Sequence, residues 1–233
     1  GRTTGALGYG YRLGGGWRLA GNAGTAFRAP TFLDLYFPLF DNPNLKPEHA
    51  RNAEGGVYYE TAATTMSAVY YRNRVEDLIV FSGTCPLSGR PFGCPVNVNS
   101  AKLQGWSLAA RTAVTREIAL RGTLDLAQPT DVATGHVLPR RAKRYGSAAV
   151  DYNVAAWRLT AELIAAGQRF DDAANTKRMG GYALVNLVAS YALDRQWSLF
   201  ARWNNVLDHT YELAKDFSTP AANVFLGVRY QSR

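Results

Sequence analysis

Apolar residues recur along this chain at every second position. Across Ile118–Leu126, Ile118, Leu120, Leu124 and Leu126 share one face, and Arg121, Thr123 and Asp125 share the other. Trp157, Leu159 and Leu163 oppose Arg158, Thr160 and Glu162 in the same way. Trp197, Leu199, Ala201 and Trp203 oppose Ser198, Arg202 and Asn204, while Val224, Leu226, Val228 and Tyr230 oppose Asn223, Gly227 and Arg229. An amphipathic helix needs apolar positions at i, i+3, i+4 and i+7, which these segments do not offer, so very little helix is expected. The alternation predicts about eleven strands, over residues 3–13, 17–28, 48–60, 64–80, 96–112, 118–128, 140–154, 157–169, 180–192, 197–207 and 221–230. Several reach about ten residues, close to the ~9–11 that a tilted strand needs to cross a bilayer and longer than the usual five or six of a soluble sheet.

The connections alternate as well. Short turns are expected at 14–16, 61–63, 113–117, 155–156 and 194–196, and long loops at 29–47, 81–95, 129–139, 170–179 and 208–220. This short–long rhythm predicts an all-β, antiparallel up-and-down transmembrane barrel wall, with tight periplasmic turns and long extracellular loops. Trp17, Tyr59, Trp106, Trp157, Trp197 and Tyr230 fall toward the short-turn ends, where an inner aromatic girdle belongs.

Composition narrows the picture. With 47% hydrophobic and 19% charged residues the chain is not disordered. No apolar run approaches the roughly 18 residues of a membrane-spanning helix, which leaves a barrel as the membrane option. The net charge of +8, from 26 basic and 18 acidic residues, raises nucleic acid as a partner. The basic residues are scattered over alternate strand positions rather than gathered in one patch, so no nucleic-acid partner is expected. Those near the outer rim suit outer-membrane lipid and lipopolysaccharide phosphates. Lumen-facing Arg121, Arg158, Arg202 and Arg229 are expected to pair with a plug inside the barrel, and the carboxylates Glu54, Asp125, Asp151 and Glu162 to meet those arginines across the wall or to lie against the plug.

Cys85 and Cys94 flank a Gly/Pro-rich tip, which predicts a loop-closing disulfide in an oxidising compartment, worth about 2–3 kcal/mol. Free thiols in a cytosolic loop are the alternative. The spacing suits neither CxxC redox chemistry nor zinc, and no metal site or cofactor is expected. His49, His136 and His209 show no HxxxH or HExxH spacing, and no GxSxG or P-loop occurs, so no enzyme is expected. Gly1-Arg2-Thr3-Thr4 carries no initiator Met or targeting signal, which reads as a piece of a longer protein.

Two stretches go beyond barrel patterning. Phe27-Arg28-Ala29-Pro30 leads into Leu33, Leu35-Tyr36, Asn42-Pro43-Asn44-Leu45-Lys46-Pro47-Glu48 and Glu54-Gly55; Asn204-Asn205-Val206-Leu207-Asp208-His209-Thr210-Tyr211 precedes the alternating last strand. Together they resemble the mid-barrel signature and the C-terminal box of TonB-dependent outer-membrane receptors. Gly167–Asp172 and Met179–Tyr182 look most like vitamin B12 (cobalamin) receptors. The resemblance implies that residues 1–233 are the C-terminal half of a 22-stranded barrel in the Gram-negative outer membrane, forming an open sheet rather than a closed small barrel. The plug domain and the TonB-contacting box are expected to lie upstream, and the complete barrel is expected to be monomeric. The implied function is high-affinity capture of cobalamin and TonB-driven import. The alternative within the family is a ferric-siderophore receptor; from other classes, a passive porin-like barrel or an outer-membrane barrel enzyme remains.

In such a receptor the ligand lands first on outer loops. Tyr36, Phe37, Phe40, Asp41, Asn42 and Asn44 offer flat apolar surface with polar handles, suited to a corrin edged by amides or to an aromatic siderophore. A packed loop shaped by its prolines is the competing reading. Arg90 and Phe92 at the disulfide tip, and Asp171, Asp172, Asn175, Lys177 and Arg178, are the further candidates.

Overall fold

A computed structural model describes residues 3–232. The strands are β1 (Ala6–Gly14), β2 (Trp17–Arg28), β3 (Glu48–Glu60), β4 (Thr64–Ser82), β5 (Cys94–Ala113), β6 (Ile118–Asp131), β7 (Arg144–Val154), β8 (Trp157–Ala166), β9 (Arg169–Phe170), β10 (Arg178–Met179), β11 (Tyr182–Ala192), β12 (Trp197–Asn204) and β13 (Asn223–Tyr230). Among the described residues one short helix, α1 (Phe32–Tyr36), lies in the β2–β3 loop. Eleven strands form one sheet in chain order, β1 to β8 and then β11 to β13, every neighbouring pair antiparallel. The short β9–β10 hairpin stands apart within the β8–β11 loop. Among the described residues β1 and β13 are each paired on one side only, so the sheet is open.

Register decides which side chains share a face. Leu19 aligns with Tyr11 and Val57, Leu124 with Leu108, Leu187 with Ala161 and Trp203, and Leu199 with Tyr191 and Val228. One face of the sheet is therefore apolar from edge to edge, and it is uncovered: Leu7 is 80% exposed and Leu226 79%. An aqueous surface of this extent would aggregate; a bilayer would cover it. No helix among the described residues is long and apolar enough to cross a membrane.

The opposite face carries a polar ladder. Arg121 bonds Asp151 at 3.2 Å and lies 3.7 Å from Glu162, whose other oxygen lies 3.7 Å from Arg202. Asn186 donates to Glu162 at 3.2 Å, Thr160 to Asp151 at 2.7 Å and Asn22 to Glu54 at 2.7 Å. Ser107 donates to Asp125. Of the expected lumen partners, Arg121 and Arg202 meet Asp151 and Glu162 within the wall, whereas Arg158 donates to Asn153 at 3.1 Å, Arg229 lies over Phe200, and Glu54 and Asp125 accept from Asn22 and Ser107 instead of arginines.

The inner girdle forms as ring pairs beside the short turns: Trp17–Tyr59 at 4.7 Å, Trp157–Tyr191 at 4.8 Å and Trp197–Tyr230 at 4.8 Å. Trp106 is a correction. It pairs with Tyr70 and Leu126 well up the hairpin, where Gln104 and Lys102 follow it on the same face. It thus marks the outer margin of the apolar belt, with the Tyr70 ring 5.3 Å away.

Several boundaries also move. The β4–β5 hairpin runs on to the Ser82–Cys94 pair, because left-handed Asp77 (φ 55°) interrupts the alternation without ending the ladder. β7 starts at Arg144 rather than 140, since Arg140 turns at φ 57° and Leu138 dives under the loop. Leu138, 1% exposed, packs on Val75, Leu78 and Ala101, which makes a small apolar core above the membrane portion. The expected strand 157–169 ends at Ala166, and Arg169 belongs to the β9–β10 hairpin.

Candidate functional site

All the long connections emerge from the same end of the sheet, and polar side chains staple them into two blocks. In the first block the motif residues act as anchors. Arg28 Nε donates to Glu48 at 2.6 Å, and the same carboxylate accepts the Ile79 amide at 2.8 Å, which binds β2, β3 and β4 together. α1 begins with a reciprocal cap: Asp34 N–H donates to Thr31 Oγ1 (3.1 Å) and Thr31 N–H to Asp34 Oδ2 (2.9 Å). Asn42 is buried; its Nδ2 donates to the Pro95 carbonyl at 2.9 Å while its Oδ1 accepts the Asn44 amide at 3.0 Å. Asn97 clamps the Lys46 peptide from both sides, accepting its N–H at 2.8 Å and donating to its carbonyl at 3.0 Å.

The β4–β5 loop folds onto this block. Cys85 and Cys94 are bonded, with Cα atoms 5.2 Å apart. Arg90 reaches the Asp41 carboxylate at 2.7 Å, and that hydrogen bond holds the Asp41 carboxyl below the usual carboxylate range. Phe92 stacks on Phe40 at 5.4 Å, and Phe40 also meets Phe37 (5.8 Å) and Phe81 (6.4 Å). Alkylation of non-reduced full-length protein is expected to add no mass at either cysteine. A labelled Cys85 or Cys94 without reductant would exclude the bond.

The second block joins the β6–β7, β8–β11 and β12–β13 loops. Asp171 accepts Arg140 Nε at 2.7 Å and the Lys215 amide at 3.2 Å. Burial works to raise the Asp171 pKa, but the Arg140 and Lys215 hydrogen bonds outweigh it and keep the carboxyl below its ordinary value. Asp172 is held down likewise, against its own desolvation, by the Lys177 and Thr176 backbone amides and the Thr176 hydroxyl. Asn175 exchanges two 2.8 Å bonds with the Val137 peptide. Arg169 donates to the Glu212 carbonyl and lies 5.2 Å over Tyr182, whose ring meets Tyr211 at 4.7 Å. Arg178 donates to Gln168.

The candidates therefore divide. Phe40, Asp41, Asn42 and Arg90 are engaged between the β2–β3 and β4–β5 segments, Asp171 and Asn175 with neighbouring loops, and Asp172 within its own loop. Asn44 closes the Asn42 turn through its backbone. Tyr36, Phe37 and Phe92 hold apolar surface open to solvent, and Lys177 and Arg178 are exposed. Three residues beyond the sequence candidates join them: Phe32, Leu33 and Leu39 are more than half exposed on and beside α1. The capping box Thr31-x-x-Asp34 is the available signal, because a helix that short has no second turn with which to bury its apolar side. The geometry offers an apolar shelf on a stapled base, suited to a large flat ligand. Apolar grooves of about 550 and 530 Å³ lie on the apolar face of the sheet among Leu159, Leu187, Trp203, Leu199 and Leu226, where acyl chains would fill them.

Comparison with known proteins gives a consistent result. Residues 1–206 match the family model described as TonB dependent receptor-like, beta-barrel. A vitamin B12 transporter, BtuB, of Photobacterium profundum is 31% identical over 214 residues, covering 92% of this chain and 35% of that protein. Its counterpart from Vibrio vulnificus is 32% identical over 215 residues, covering 90% and 34%. The chain thus spans about a third of the length of these relatives. Among solved structures, a copper transporter, OprC, superposes with a TM-score of 0.83 at 20% identity, covering 97% of this chain and 40% of that one. A ferric enterobactin receptor from Pseudomonas aeruginosa gives 0.76 at 17%, with the same coverage. At those identities the likeness speaks for the fold alone.

Proposed function

The chain belongs to the TonB-dependent receptor-like β-barrel family, and from that premise we propose that it forms the C-terminal part of the wall of an outer-membrane receptor for cobalamin. The complete protein would be a monomeric 22-stranded barrel that captures the nutrient at the cell surface and releases it to the periplasm with energy supplied through TonB. The observation that carries the substrate is the 31–32% identity to two vitamin B12 transporters, maintained over nine-tenths of the chain. The loop shelf supports it: Tyr36, Phe37 and Phe92 supply apolar contact, while Lys177 and Arg178 supply polar handles at the other block. The lumen ladder would face the plug. No covalent step is involved, in keeping with relatives named as transporters.

A titration of the full-length receptor with cyanocobalamin is expected to saturate, and Tyr36→Ala with Phe92→Ala is expected to weaken it at least ~10-fold, about 1.4 kcal/mol. Ferric siderophores are expected not to compete. Binding of a ferric siderophore with no cobalamin affinity would establish the second reading, a siderophore receptor of the same family. That reading draws on the aromatic character of the shelf.

A further inference from the structure

Above Tyr70 and Trp106 the lipid-facing side of the sheet changes abruptly from apolar to cationic. Arg51 on β3 aligns with Arg74 on β4, and Arg74 with Lys102 on β5. Arg72 lies one step nearer the belt, in the row of Gln104 and Gln128. All these positions share the outward parity of Tyr70 and Trp106. Three cations thus stand directly opposite one another on adjacent strands, within roughly 10 Å. Like charges so placed repel and destabilise a sheet.

None of the four forms a salt bridge among the described residues. Glu76 faces the same way one row further out, aligned with His49 and Ser100, and bridges none of them. By contrast, Arg28, Arg121, Arg140 and Arg202 all hold carboxylates. Arg51, Arg72 and Arg74 are exposed and Lys102 is half-buried. A cluster that lacks its own counterions calls for external ones.

We propose that Arg51, Arg72, Arg74 and Lys102 form a binding site for the phosphates of an outer-leaflet glycolipid, the phosphorylated headgroup of lipopolysaccharide. Its position selects this occupant. The patch begins where the apolar belt ends, so the acyl chains would lie against Leu108, Leu124 and Leu126 while the phosphates meet the cations. Arginine forks match phosphate oxygens in bidentate fashion. Trp106 and Tyr70 occupy the interface between the two regions. A soluble anion would gain the charges but not the belt.

The inference rests on the outer-membrane placement proposed above and is independent of the nutrient. Full-length receptor in detergent would be titrated with lipopolysaccharide, phosphatase-treated lipopolysaccharide, phosphatidylethanolamine and inorganic phosphate, and bound lipid read by native mass spectrometry. Tight binding is expected for intact lipopolysaccharide alone. Arg51→Gln with Arg74→Gln and Lys102→Gln should lower it at least ~10-fold, while Arg51→Lys with Arg74→Lys retains most of it. Heat-modifiable migration of each variant reports folding. Equal binding of the dephosphorylated glycolipid, or full binding by the folded triple variant, would overturn the site. Equal occupancy by inorganic phosphate would reduce it to a general anion patch and overturn it too. Wild-type receptor that never acquires heat-modifiable migration would instead overturn the membrane placement.

Discussion

Leu124→Arg in the full-length receptor is expected to lose about 2–4 kcal/mol of stability in a bilayer, whereas Thr123→Arg beside it is expected to lose less than about 1 kcal/mol. The two positions are adjacent in β6 and face opposite ways. Leu124 aligns with Leu108 and Gly146 on the apolar face; Thr123 aligns with Ala109 and Ser147, and its hydroxyl meets Ser147 Oγ at 2.8 Å. A guanidinium at 124 must desolvate in hydrocarbon or drag water and headgroups inward. At 123 it enters a polar lumen. Urea unfolding of the receptor in phospholipid vesicles, followed by tryptophan fluorescence, measures both. Equal losses at the two sites would show that the faces have been assigned wrongly.

Asn205→Ala is expected to cost about 2–3 kcal/mol, from two lost hydrogen bonds in a buried site and a left-handed residue that alanine tolerates poorly. Asn205 has φ 50° and is 3% exposed. Its Nδ2 donates to the His209 carbonyl and its Oδ1 accepts the His209 amide, both at 2.9 Å, while its own amide donates to Asn186 Oδ1 at 2.9 Å. Asn186 in turn holds Glu162, so the turn that ends β12 is tied to the lumen ladder. Limited proteolysis is expected to open first within residues 205–222, along with a lowered thermal midpoint. Neighbouring Asn204→Ala removes a half-exposed pair with Asn223 at 2.9 Å and the acceptor for Arg202 Nε at 2.5 Å, leaves no left-handed residue strained, and should cost less. A variant at 205 as stable as wild type would leave the Asn-Asn element of the C-terminal box without this structural explanation.

These cases indicate what the chain discloses before it folds. Strand identity is legible because each side chain chooses between hydrocarbon and a polar lumen, and period two records that choice at residues such as Leu120 and Arg121. Height along a strand is not. Trp106 fits either girdle until the β4–β5 register places it beside Tyr70, because a tilted wall puts aligned residues of distant strands at different depths. Loop roles are harder still. Asp41, Asn42 and Arg90 look like ligand handles in one dimension, but their partners lie about fifty positions away, at Pro95 and across the disulfide tip. The exposure of Phe32 and Leu33 is only half legible: the Thr31–Asp34 capping box marks a one-turn helix, but not which of its apolar side chains stay uncovered. The cation cluster is obscured for a related reason: Arg51, Arg74 and Lys102 are scattered along the chain and adjacent only across it.

The strictly sequential strand order has a consequence for how the wall comes into being. Each strand finds its partner one tight turn or one loop away, so pairing never waits for a distant segment to be threaded back. Loop closure is the chief entropic barrier to β-pairing, and it rises only slowly with the length closed. The wall can therefore grow by adding hairpins in chain order, with the β9–β10 hairpin left outside the series. Each addition satisfies one row of backbone groups and exposes the next, which keeps assembly local at every step.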